Sequence, residues 1–95
     1  MFAVLSTAAL AGLSKEDCAE AAENIFAGQN ILNQAPDLFK QTHEGVKAGK
    51  PADYGWSPEL YVFITKLADK LKPGNDPKKV ATVVFEGCLA KLKTI

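Results

Sequence analysis

A chain of 95 residues with 47% hydrophobic and 23% charged side chains has the make-up of one globular domain, neither a disordered segment nor a membrane-embedded one. No uninterrupted apolar run approaches the roughly 20 residues that span a bilayer. All eleven basic residues are lysine and the formal net charge is zero; without arginine's bidentate fork, nucleic-acid binding is not expected.

The charge is unevenly spread. Residues 1–48 carry three lysines against six acids, and residues 49–95 carry eight lysines against five acids. Complementary helix surfaces within one fold explain this. The sharper alternative is a polarised surface that steers a charged partner.

Met1 to Gly12 is apolar and uncharged. It has the length of a signal-peptide core, and Ala9-Leu10-Ala11 fits a small-x-small cleavage site, but the basic start of a complete signal peptide is missing. The end of a signal peptide and a short N-terminal helix are both open readings of residues 1–11.

Ser14-Lys15-Glu16-Asp17 is a near match to a capping box, with aspartate where glutamate or glutamine is usual. Acids at 16, 17, 20 and 23 suit the positive end of a helix dipole. Cys18, Ala22, Ile25 and Leu32 recur at helical spacing, with Ala21 and Phe26 beside them. Gly28 is a weak point inside this helix, which must stop before Pro36 because the residue before proline avoids helical geometry. Pro36 then suits the first turn of a second helix. Phe39, His43 and Val46 share one side of it, with Leu38 adjacent, and Gly49-Lys50-Pro51 ends it.

Residues 49–57 form a loop rich in proline, glycine and aromatics. Ser57 caps a third helix with Pro58 in its first position. Leu60, Ile64, Leu67 and Leu71 follow at 4-3-4 spacing, with Phe63 alongside. Residues 73–77 make a turn. Asp76 caps a fourth helix, whose apolar residues are Val80, Val83, Val84, Phe85, Cys88, Leu89 and Leu92. The β-branched residues at 80–84 make a strand the competing expectation there; the Asp-Pro start and the length favour helix.

Cys18 and Cys88 both fall on apolar faces that a bundle would bring together. A disulfide between them would suit a small exported domain, and the alternative is a pair of small buried hydrophobes. A metal site is not expected, since two isolated cysteines and one histidine lack the short paired spacing of zinc ligands. His43, the single histidine, has no nucleophile or orienting acid in a recognisable pattern and reads as packed or surface. The acids at 16, 17, 20 and 23 lack the spacing of a calcium loop and read as a solvated helix face. There is no phosphate loop, HExxH or nucleophile elbow, so neither an enzyme nor a cofactor is expected.

Lys50, Asp53, Tyr54 and Trp56 are the candidate partner-binding residues. Tyrosine and tryptophan offer large contact area at low entropic cost, and flanking prolines stiffen them. The competing role of Trp56 is structural, stapled onto Tyr61 one turn into the third helix. Lys66, Lys70, Lys72, Lys78 and Lys79 gather near the 73–77 turn and read as a solvated face.

Ser57-Pro58-Glu59-Leu60, Ile64-Thr65-Lys66-Leu67, a proline-containing turn, then Val80-Ala81-Thr82-Val83-Val84-Phe85 and Leu89 together span about 40 residues. This half resembles the paired C-terminal helices of the small periplasmic immunity proteins of type VI secretion systems. That resemblance implies an exported, disulfide-stapled helical protein that binds and blocks a toxic cell-wall hydrolase. The further cysteines usual in such proteins are not where the resemblance would put them, and it transfers no binding residue.

The expectation is therefore a single all-α domain over residues 1–95, an up-and-down bundle of four main helices with a short fifth at the N-terminus as an option. Its expected role is binding another protein as an inhibitor, immunity protein or adaptor, with self-association as a homodimer a further option. Periplasmic or secreted placement is preferred over cytoplasmic. The alternative role is a carrier whose helices enclose an apolar ligand, which an internal apolar cavity would reveal.

Overall fold

The computed structural model describes residues 13–93. The options weighed for residues 1–11, a signal-peptide end or a fifth helix, lie outside the described residues. Four α-helices follow in order: α1 (Lys15–Gln34), α2 (Pro36–Ala48), α3 (Pro58–Asp69) and α4 (Pro77–Lys93). A 3-10 turn, Pro51–Tyr54, lies between α2 and α3, and no strand occurs among the described residues. The fold is the expected small all-α bundle.

Local chemistry sets each boundary. The Asp17 amide donates to Ser14 Oγ at 3.1 Å and the Ser14 amide to Asp17 Oδ2 at 3.0 Å, so the capping box closes with aspartate in the glutamate position. The Leu60 amide donates to Ser57 Oγ at 3.2 Å, and the Lys78 amide to Asp76 Oδ1 at 2.9 Å. Pro36, Pro58 and Pro77 each open their helix, where a missing amide hydrogen loses no helical bond. The valines at 80–84 are helical: capping and length outweigh β-propensity there.

The core runs along α1. Cys18, Ala21 and Ile25 are buried on one stripe and cluster with Leu60 and Ile64 of α3 and Val84 and Cys88 of α4, and Leu32 is buried further along α1. Val83 departs from the expected apolar face of α4 and is 71% exposed. The buried stripe of α4 follows 84 and 88, and a residue one position earlier is turned roughly 100° away from it. Cys18 and Cys88 form a disulfide that fastens the start of α1 to the end of α4.

The opposite end of α1 is held by hydrogen bonds. Gln29 is fully buried, and its Nε2 donates to the Lys72 carbonyl and to Asn33 Oδ1, both at 2.8 Å. Asn33 in turn accepts from the Gly74 amide and donates to the Asn75 carbonyl, again at 2.8 Å. The α3–α4 turn is thereby clamped onto α1. Gln29 Oε1 stays buried without a hydrogen-bond partner.

Candidate functional site

Helix α2 differs from the other three in having no buried residue. Its half-buried stripe, Phe39, His43 and Val46, faces α1 and α3 across an apolar pocket of about 150 Å³. Ile25, Gly28 and Ile31 of α1 line one side of this pocket. Ile64, Thr65 and Ala68 of α3 line another, with Leu71 and Trp56 completing the wall.

Gly28 now has a reason to interrupt α1. A Cβ there would lie 3.3 Å from Phe39 Cε1 and 3.7 Å from Leu71 Cδ1, so its absence lets the Phe39 ring settle against the helix. The cost of a mid-helix glycine, about 1 kcal/mol relative to alanine, is the cost of placing that ring. Phe39 and His43, one helical turn apart, have parallel-offset rings with centroids 5.7 Å apart and planes 20° from parallel.

His43 is oriented from across the pocket. Its Nε2 lies 2.6 Å from Asp69 Oδ1, at the end of α3, and Lys47 Nζ lies 3.2 Å from the same oxygen. The hydrogen bond from His43, then that from Lys47, holds the Asp69 carboxyl below the ordinary aspartate range. An ionised carboxylate only accepts, so the shared hydrogen belongs to His43 Nε2. Because the folded carboxyl is the stronger acid, its contribution to stability is present above the ordinary aspartate value. That contribution is lost as pH falls through the lowered, folded value. Thermal melts of the native chain and of Asp69→Asn between about pH 6 and pH 2.5 should show the native chain melting higher at the upper end, with the gap closing below about pH 4. A gap that stays constant across that range would mean the contact contributes nothing through its charge.

The expected binding loop is partly a structural piece. Asp53 Oδ2 accepts from the Lys50 amide at 2.9 Å and so closes the 3-10 turn, which Gly55 ends in the left-handed region at φ 71°. Gly49 leaves room for the Tyr54 hydroxyl, which would lie 2.9 Å from a Cβ at that position. The Trp56 ring is half-buried, packs against the core and stands 6.5 Å from Tyr61, as the structural role requires. Tyr61 Oη reaches the carbonyls of Val46, Lys47 and Gly49 at 2.8, 3.0 and 3.2 Å, pinning the end of α2. Tyr54 lies 4.9 Å from Trp56 and remains 38% exposed. Trp56 therefore lines the pocket with Tyr54 against it, while Lys50 stays on the exposed surface and Asp53 serves the turn.

Lys66, Lys70, Lys72, Lys78 and Lys79 are all exposed, and the His43–Asp69 and Lys47–Asp69 ion pairs do not involve them. The acids at the start of α1 form no metal-holding group among the described residues, and no described helix is long and apolar enough to cross a membrane.

No protein family, curated protein or solved structure matches this chain.

Proposed function

We propose that this chain is a non-enzymatic protein-binding module that takes one bulky apolar side chain of its partner into the pocket between α1, α2 and α3. The observation that carries this reading is the pocket's size, about 150 Å³, combined with its apolar wall. That volume resembles an engineered cavity of about 150 Å³ that stays dry and holds benzene, and it falls below the roughly 300–1,000 Å³ of ordinary small-molecule sites. It suits a single anchor residue. Trp56 walls the pocket and the exposed Tyr54 ring leans on it, which is the aromatic company that binding hot spots keep.

Both thiols are joined in the disulfide. The disulfide suits an oxidising compartment, the periplasm or the exterior. An inhibitor of a secreted enzyme, the role implied by the immunity-protein resemblance, is the form of this proposal that fits such a compartment.

A peptide library displayed on phage and selected against the native chain and against Ala68→Leu tests the reading. The added isobutyl group fills the pocket from α3. Peptides sharing one bulky apolar residue should be recovered on the native chain and bind Ala68→Leu at least about tenfold more weakly, a loss of about 1.4 kcal/mol. Ala68→Leu should melt no lower than the native chain, since filling a void in a compatible rotamer stabilises. Peptides that bind both chains equally, or no selected peptides at all, would reject the anchor reading. A second reading, a carrier of a free ring-sized ligand, is favoured by the same apolar wall. It would be supported by a small molecule retained in native mass spectrometry and absent from Ala68→Leu.

A further inference from the structure

The geometry points to a flat aromatic ring, the side chain of a phenylalanine in the partner, as the group this pocket selects over an aliphatic group of the same size. The inference rests on the anchor reading above and specifies its chemistry. Three of the pocket's lining side chains are themselves rings: Phe39, His43 and Trp56. Phe39 and His43 stack one turn apart on α2, their planes 20° from parallel, and both border the pocket. Aromatic pairs gain beyond simple area burial because a negative ring face meets a positive ring edge.

Both rings are set before any ligand arrives. Gly28 seats Phe39 against α1, and Asp69 holds the His43 imidazole through Nε2 at 2.6 Å. An occupant therefore does not have to freeze either side chain, a cost that otherwise reduces affinity. Two of the polar side chains in the lining are engaged elsewhere. Thr65 Oγ1 donates to the Tyr61 carbonyl at 2.9 Å, and Asn24 Nδ2 donates to Glu20, its carbonyl at 2.8 Å and its carboxylate at 2.7 Å. These two donors impose no hydrogen-bonding requirement on the occupant.

Two matched pairs of probes test this in the full chain by NMR titration: benzene against cyclohexane, and N-acetyl-phenylalaninamide against its cyclohexylalanine counterpart. The aromatic member of each pair should bind about fivefold tighter, with ring-current shifts at the Ile25 and Ile64 methyls. Ala68→Leu should abolish these shifts, and Phe39→Leu should bring the ratio within each pair towards one. Equal affinities within both pairs would overturn the ring preference while leaving an apolar socket standing. Discrimination of benzene with no binding of the phenylalanine amide would overturn the side-chain source and assign the ring to a free ligand. If none of the four probes binds, the anchor reading falls and this inference with it.

Discussion

Replacing Cys18 and Cys88 together by alanine should lower the free energy of unfolding by about 4 kcal/mol. The bridge closes a loop with a sequence separation of 70 residues, and the entropy it removes from the unfolded chain grows slowly with loop length. Both cysteines are buried, at 0% and 3% exposure, so alanine also leaves a small void where the sulfurs packed. A domain of this size has about 5–10 kcal/mol in total, so the loss removes a large part of its stability. Urea denaturation of the two chains measures it directly. A difference under about 1 kcal/mol would show that helix packing alone holds α1 against α4.

Ile25→Ala should cost about 3 kcal/mol, within the range for buried isoleucine truncated to alanine. Ile25 is 1% exposed, belongs to the core cluster and also lines the pocket. The space it vacates therefore joins an existing apolar void, and the surroundings have less reason to collapse into it. This sets up a second, opposite readout. A saturating apolar probe that binds only the folded chain should restore part of the lost stability, by about 2.7 kcal/mol at a hundred times its dissociation constant. A cost below about 1 kcal/mol, or no rescue by benzene or a larger substituted ring, would mean that Ile25 does not separate core from pocket.

The four helices were legible because short-range signals agreed. Ser14, Ser57 and Asp76 cap, Pro36, Pro58 and Pro77 start, and the apolar spacing between them is helical. The disulfide was legible only as an option, since two apolar faces can meet in several registers. The pocket was not legible at all. Phe39, His43 and Val46 read as an ordinary core stripe, and nothing local shows that the stripe spans a gap instead of filling it. The partner of His43 lies 26 residues away in Asp69, beyond any local pattern. Gly28 gave a hint: a glycine inside an otherwise sound helix often marks close approach, here of the Phe39 ring. Trp56 had two readings, staple and contact surface, and it holds the staple position while also walling the pocket.

Helix α2, with no buried residue, is held less firmly than its neighbours. Helices α1 and α4 are tied by a covalent bond at one end, and α1 grips the α3–α4 turn through Gln29 and Asn33 at the other. By contrast, α2 is fastened by the Phe39 ring against Gly28, by the tyrosine hydroxyl at its end and by one carboxylate shared between His43 and Lys47. Segments secured by few buried apolar contacts sit at the low end of the range of local opening energies. Of the four helices α2 is therefore the one whose local opening costs least, and its amide hydrogens should exchange ahead of those of α1 and α4 while the rest of the bundle stays closed.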